Sequence, residues 1–369
     1  MAKSVLINGA GGRIGRSVTY EVIKLLGSNA KDITLVAVNE PRGLEFVVDS
    51  YKSRDPVHGF YNWDVGGTKG SLSSPDRLTM RDYRVSFFAE KDISKVLESR
   101  EIDIVLECSG FFGDPKQKDK SVKLTKADNG ARIFLEHGAK TVIQTYPAKT
   151  ADVNLVMGVN HQSYDSEKHK VISNASCTTK ALAMPLQVLI DNGIEIDALS
   201  MDTTHAATAS QEVLHSLGQI VTHATGAAKA TGLVIPSLEG RMSGMSYRVP
   251  TLDGSFANLY FVALSENKLT SEDINKMFYS AAKNQKYAGR IGIFGGEDAG
   301  TFDIVGRREN AVIIPSKTSV IPLSFGRSAL VTNKQKMRAH LVTVISGYDN
   351  ELGSSVDPVL LADYIAKKS

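Results

Sequence analysis

Cysteine is scarce in this sequence: Cys108 and Cys177 are the two thiols among 369 residues. So few argue against a disulfide framework and for a reducing compartment, so a cytoplasmic protein is expected. No run of about 18 apolar residues occurs, so no membrane span is expected. The opening MAKSVLINGAGG has no apolar core ahead of a small-residue cleavage site, and reads as a strand and a turn. Neither sign of charge prevails. Forty-three basic against 40 acidic residues leave +3, and no basic stripe interleaved with aromatics appears. Nucleic-acid binding is therefore not expected. Metal-ligand spacing is missing as well: there is no C-x-x-C, H-E-x-x-H or calcium-loop pattern, so no metal is expected. Internal repeats are absent.

What remains is a globular composition, 42% apolar and 22% charged, with enough chain for two domains. Residues 4–8 are a short apolar run, 9–12 a glycine turn, 14–26 a segment with helical apolar spacing, and 33–38 a second apolar run. Strand, helix and strand in that order make a parallel, right-handed βαβ unit. Further strands are expected at 84–88, 102–107, 141–144 and 154–157, with helical pieces between them. Residues 112–129 read as a solvated loop and surface helix. Beyond residue 170 the pattern changes: a strand at 171–173, a helix at 177–190, then strands at 198–203, 245–251 and 258–263. A final amphipathic helix is expected at 356–367. The expected fold is α/β: a Rossmann doubly wound parallel sheet plus an α+β catalytic domain with a mostly antiparallel sheet.

Two motifs carry chemistry. Gly9, Gly12 and Gly15, with Gly11 extra, lie between a strand and a helix. There glycine lets backbone amides approach a pyrophosphate at the helix N-terminus. Glu40 ends the next strand, where a carboxylate accepts from a ribose diol and repels a 2′-phosphate; Arg42 nearby keeps the phosphorylated cofactor open. In the second motif, SNASCTT (173–179), a strand runs into a helix, placing Cys177 at a helix N-terminus where the thiolate is favoured. His205, ending a strand-like run, suits the base that a thiol nucleophile needs, but residue type alone does not choose it among the chain's eight histidines. Cys108, at the end of an apolar strand, reads as buried and inert.

Together these segments resemble phosphorylating glyceraldehyde-3-phosphate dehydrogenases. INGAGGRIGR (7–16), VAVNEP (36–41), VMGVNH (156–161), SNASCTT, HAATASQ (205–211), ATGAAKATG (224–232), YRVPT (247–251) and YDNE (348–351) occur in that family's order. The resemblance implies an NAD-dependent enzyme, with NADP left open. Its domains are a dinucleotide-binding unit of residues 1–176 joined by the C-terminal helix 350–369, and a catalytic unit of 177–349. It makes Cys177 the nucleophile and His205 its base. Thr208 and Arg248 match the site for the substrate's own phosphate, and Ser176, Thr178, Thr225 and Gly226 the site for attacking phosphate. Gly9, Gly12, Arg13, Ile14 and Glu40 match the cofactor turn and ribose ligand, Asn350 faces the nicotinamide amide, and Ser109 joins the cofactor-binding set. The implied partners are an aldehyde phosphate and inorganic phosphate, and the implied assembly is a homotetramer.

Departures from the family pattern are equally specific. Lys180 stands where the family usually has Asn, Glu40 where it has Asp, and Gly347 where it has Trp. The glycine turn has gained a residue. Residues 212–223, expected as a short helix, replace a longer loop, while 114–137 and 287–335 look longer than usual. These changes bear on cofactor affinity, assembly and specificity. They keep two alternatives in view: the same chemistry on another aldehyde phosphate such as erythrose 4-phosphate, or a catalytically weak dinucleotide-binding relative.

Overall fold

The computed structural model describes residues 2–28, 32–59, 61, 63–71, 75–112, 130–207, 218–324, 331–332 and 335–368. In chain order these form β1 (Lys3–Asn8), α1 (Arg13–Gly27), β2 (Ile33–Asn39), α2 (Leu44–Lys52), β3 (Val65–Thr68), β4 (Asp76–Met80), β5 (Tyr83–Phe88), α3 (Ser94–Leu97), β6 (Ile104–Glu107), α4 (Arg132–Glu136), β7 (Thr141–Gln144), β8 (Val153–Asn154) and β9 (Val171–Ser173). There follow α5 (Cys177–Asp191), β10 (Glu195–Ala206), β11 (Val221–Ala224), α6 (Ala227–Val234), β12 (Met242–Val249), β13 (Ser255–Ser265), α7 (Ser271–Lys283), β14 (Ile291–Ile293), α8 (Thr301–Ile304), β15 (Ala311–Ile313), β16 (Ser319–Pro322), β17 (Val331–Thr332), β18 (Gln335–Lys336), β19 (Arg338–Tyr348) and α9 (Leu352–Ala366). The chain divides into two units. One holds Met1–Met157, His161–Ala175 and Ser355–Ser369, the other Gly158–Asn160 and Ser176–Ser354.

In the first unit the described strands form one sheet in the order β3-β4-β5-β2-β1-β6-β7-β9-β8. The pairs from β5 through β9 to β8 are parallel, and only β3–β4 and β4–β5 are antiparallel. The apolar runs follow from burial on both faces. Val5 and Ile7 of β1 enter one core cluster and Leu6 the other, as alternation along a strand requires. From β1 the chain passes to β2 on one side and later to β6 on the other. That reversal is where doubly wound sheets bind ligands.

Two expectations need correction in this unit. The strand expected at 154–157 is only Val153–Asn154, because Leu155–Met157 instead close under α9. Met157 N donates to Asp357 Oδ2 at 3.2 Å, and Asn174 Nδ2 donates to the same oxygen at 2.7 Å. The C-terminal helix is not amphipathic. All but three of the fifteen residues of α9 are buried, and Val359, Leu361, Ala362 and Ile365 belong to the sheet's core. A helix apolar all round is a buried one. The surface segment expected after Phe112 lies outside the described residues.

The second unit carries a mostly antiparallel sheet, β11-β12-β10-β13-β19-β15-β14, with β16 also on β19. The α/β class with a parallel Rossmann-type sheet and a mostly antiparallel one is borne out. Helix α5 packs on α6, α7 and strands of this sheet, and its residues from Thr178 through Leu186 are buried. Residues 221–223, expected as part of a short helix, are strand: β11 pairs antiparallel with β12. Residues 212–217 lie outside the described set.

Candidate active site

The dinucleotide side of the chemistry lies in the first unit. Gly9, with φ +83°, turns the chain off β1, and Gly12 N donates back to Gly9 O at 3.2 Å. Gly12 is also the N-cap of α1, and among the described residues no side chain caps that helix. Arg13 and Ile14 are its first residues, so the expected amides do stand at an open helix start. A Cβ on Gly15 would run into the Gly9 carbonyl, and one on Gly9 would come within 2.9 Å of Ser109 N. The turn is therefore drawn tight against helix and sheet, where only glycine fits.

Beside it opens a cavity of about 400 Å³, lined among others by Gly9, Gly12, Asn39, Glu40, Arg42 and Ser109. Its floor is a polar network at the strand ends. Glu107 is fully buried and accepts from Asn8 Nδ2 at 2.5 Å, from Ser109 N at 2.7 Å and from the Ser109 hydroxyl. Asn39 Nδ2 donates to Asn8 Oδ1 at 2.8 Å. Burial pushes the Glu107 carboxyl up to about 7, against the pull of these donors. Glu107, Asn8 and Asn39 were missed as site residues; the available signal was polar residues closing otherwise apolar strands. An uncapped helix start, glycines at the points of closest approach and a roomy cavity at the switch point fit a dinucleotide.

The expected nucleophile and its base lie in the second unit. Ala175, at a left-handed φ of +55° that costs a non-glycine residue strain, precedes the start of α5. Ser176 is the N-cap, its Oγ accepting from Thr179 N at 3.0 Å, and Cys177 is the first helical residue. Parallel pairing of β10 with β12 sets His205 beside Arg248. His205 Nε2 lies 3.4 Å from Cys177 Sγ. Nδ1 lies 2.6 Å from the Ala206 carbonyl and 2.5 Å from Arg248 Nη1. A proton on Nδ1 donates to Ala206 O and leaves Nε2 as a base; a donation from Arg248 selects the opposite tautomer.

Burial and the Arg248 charge hold the imidazole down at about 4, so at neutral pH it is uncharged. The expectation of a lowered thiol pKa is corrected. Burial pushes the Cys177 thiol up, and the Lys180 charge, Thr178 and Arg248 pull against it.

The other expected residues fall as follows. Thr178 Oγ1 lies 2.9 Å from Tyr348 Oη, which also lies 2.8 Å from Thr203 Oγ1. Tyr348 is 1% exposed and was missed, although it opens the YDNE segment; a buried phenol needs partners, and the chain spacing gave no sign of which. Asn350 Oδ1 accepts from Ser255 Oγ at 3.0 Å. Thr225 Oγ1 accepts from Ala227 N at 3.1 Å, and Gly226 is the N-cap of α6, a helix packed on α5. Arg248 Nε is buried and meets no acceptor among the described residues, which suits an anion there. Thr208 lies outside the described residues. Cys108 is half-buried, its thiol pushed well above the usual value by burial beside Glu107.

A Rossmann-type unit with an open glycine turn, joined in one chain to a unit presenting a cysteine–histidine pair beside an arginine, is the pattern of a dinucleotide-dependent dehydrogenase. Comparison with known proteins narrows that class. Residues 3–115 match the NAD-binding domain model of glyceraldehyde 3-phosphate dehydrogenase, and residues 176–350 match its C-terminal domain model. The chain is 33% identical over 380 residues to glyceraldehyde-3-phosphate dehydrogenase 1 of Bacillus subtilis, covering 100% of this chain and 99% of that protein. It is 34% identical over 380 residues to the enzyme of Geobacillus stearothermophilus, with the same coverage. Identity to glyceraldehyde-3-phosphate dehydrogenase 1 of Saccharomyces cerevisiae is 33% over 382 residues, 98% of this chain and 99% of the other. The chain belongs to the glyceraldehyde-3-phosphate dehydrogenase family and is an NAD-dependent, phosphorylating oxidoreductase.

Proposed function

We propose that the chain oxidises glyceraldehyde 3-phosphate to 1,3-bisphosphoglycerate through a thioester on Cys177. The observation that carries this reading is the 3.4 Å approach of His205 Nε2 to Cys177 Sγ at the first residue of α5. His205 Nε2 takes the Cys177 thiol proton as the sulfur adds to the aldehyde carbon, and returns it to the carbonyl oxygen, which forms a hemithioacetal with a neutral imidazole again. His205 Nε2 takes the hydroxyl proton as the carbon gives up hydride, leaving a thioester. NAD supplies the hydride acceptor. Inorganic phosphate then attacks the thioester carbon, the acyl phosphate departs, and the thiolate is regenerated. Splitting the oxidation this way replaces one difficult step by two easier ones.

Arg248, with Thr208, holds the substrate's own phosphate. Ser176, Thr178, Thr225 and Gly226 surround the attacking phosphate, and Asn350 meets the nicotinamide amide. Ser176 and Thr178 already make hydrogen bonds to Thr179 and Tyr348, so their hydroxyls are oriented before any anion arrives. Lacking a partner thiol in a disulfide, the nucleophile suits a reducing cytoplasm.

The homotetramer of the family is proposed here on an apolar sheet face. Register places Met245, Tyr260, Leu341 and Ile321 on one side: Ser200 pairs with Tyr260 and Ser243, Tyr260 with Thr343, and Leu341 with Ile321. All four are exposed, and such patches mark assembly surfaces. Among the described residues no helix is long and apolar enough to cross a membrane.

The test is NADH formation from NAD, phosphate and glyceraldehyde 3-phosphate, with Cys177→Ser as control. Turnover that needs phosphate and is lost by at least about 10³-fold in Cys177→Ser is expected, since the nucleophile carries the reaction. Turnover in the variant at the wild-type rate overturns the thioester. A higher kcat/KM for erythrose 4-phosphate overturns the substrate assignment, because specificity is that ratio.

A further inference from the structure

Glu40 was expected to read the ribose diol. The structure leaves it no lone pair with which to do so. Oε1 accepts from Arg42 Nε at 2.8 Å and from Arg42 N at 3.3 Å. Oε2 accepts from Arg42 Nη2 at 3.1 Å and from Gly11 N at 3.0 Å. A carboxylate offers about four lone-pair sites, and four donors fill them.

Two departures of this sequence explain the saturation together. Gly11 is the residue added to the turn, and the side chain of Glu40 is one methylene longer than Asp. The added residue supplies an N–H that the longer side chain reaches. A Cβ on Gly11 would meet Glu40 Oε2 at 3.0 Å and the Phe46 ring at 2.8 Å, so the packing depends on glycine there.

The same contacts present Arg42 to the cavity. Its guanidinium is clamped on Glu40, stacks over the Phe46 ring with Cζ 3.9 Å from the centroid, and leaves its side chain 53% exposed. Nε and one N–H of Nη2 are spent on Glu40. Among the described residues the other three of the five N–H donors meet no acceptor, and they stay available at the cavity edge. Lys91 lines the same cavity. Where a carboxylate was expected to repel a 2′-phosphate, the structure has a neutralised carboxylate and a preorganised arginine. Arginine in such a fork suits a phosphate group.

We infer that this cavity accepts the 2′-phosphorylated dinucleotide as well as NAD, and that Arg42 is the residue that holds the 2′-phosphate. The inference rests on the dinucleotide reading of the cavity and extends it to a specificity-determining residue.

The experiment is direct titration of the protein with NAD and with NADP, by calorimetry, without substrate or turnover. The wild type is expected to bind NADP within about tenfold of NAD. Arg42→Ala removes the phosphate ligand and frees the Glu40 carboxylate, so NADP is expected to weaken at least about tenfold while NAD changes by less than about threefold. Arg42→Lys keeps the charge without the fork and falls between the two. Wild-type binding of NADP more than about a hundredfold weaker than NAD, or equal weakening of both in Arg42→Ala, overturns the inference. Failure of the wild type to bind either dinucleotide overturns the cavity's assignment along with it.

Discussion

Lys180 sits one turn after Cys177 on α5 and is 1% exposed; its Nζ donates to Ser354 O at 3.0 Å and to Ser354 Oγ at 3.1 Å. Its positive charge is the largest influence pulling the Cys177 thiol down against burial, ahead of Thr178 and Arg248. The other groups facing the sulfur are an uncharged His205 and the Tyr348 phenol. With the imidazole neutral, the fixed cations do the work that an imidazolium would otherwise do. In Lys180→Asn the thiolate loses that support, so the thiol pKa rises. The midpoint of Cys177 alkylation by iodoacetamide against pH is expected to move up by about one unit, slowing alkylation near neutrality about tenfold. Superimposed profiles would reduce Lys180 to a packing residue. Arg248 acts on His205 in the same sense. Arg248→Ala is expected to raise the imidazole pKa from about 4 toward its ordinary value, carrying the acid limb of the kcat/KM profile upward with it.

The element scale shows why three glycines with one spacing are not equivalent. A Cβ at Gly15 strikes the Gly9 carbonyl, whereas one at Gly12 sits 3.5 Å from it, an ordinary contact. Gly12 also has an unremarkable φ of −72°. Gly15→Ala must therefore force α1 away from the turn, at a cost of about 1–3 kcal/mol, with weaker NAD binding. Gly12→Ala is expected to stay within about 1 kcal/mol of the wild type. Urea denaturation read beside an NAD titration separates the two, and equal losses would contradict the close approach. The elements themselves were legible where periodicity was strong: β1, α1, β2, β7, β9 and α5 fall within a residue or two of their expected bounds. The misses have physical causes. Leu155–Met157 is apolar because α9 covers it, and α9 is uniformly apolar because it is enclosed. Neither local pattern distinguishes burial by a distant segment from burial in a sheet.

At the scale of the molecule, the second sheet has helices α5, α6 and α7 on one side, while Met245, Tyr260, Leu341 and Ile321 share an exposed side. If that side is the assembly surface, sedimentation should give a mass near four times 39.9 kDa. Tyr260→Asp with Leu341→Asp, placing charges in an apolar interface, should lower it to a dimer or monomer. A monomeric wild type, or a double variant of unchanged mass, would exclude this surface. The exposed side could not be read from the chain, because strand alternation marks two faces without saying which one is covered by helices.

The sequence by itself determined the class. Glycine spacing after an apolar strand, and a small polar surround for a cysteine entering a helix, are local requirements of phosphate approach and thiol chemistry, so local residues carry them. The residues around Cys177 pointed to that thiol, while His205 and Arg248 were singled out by the family resemblance. Only the tertiary structure decided how those groups are tuned. Burial, and the guanidinium that pairing of β10 with β12 sets against it, keep the imidazole neutral. The turn's extra residue and the longer acid meet across 29 positions of chain, and with Arg42 they fill the lone pairs of the Glu40 carboxylate. Protonation state and hydrogen-bond occupancy depend on neighbours remote in sequence, and only the fold sets those neighbours.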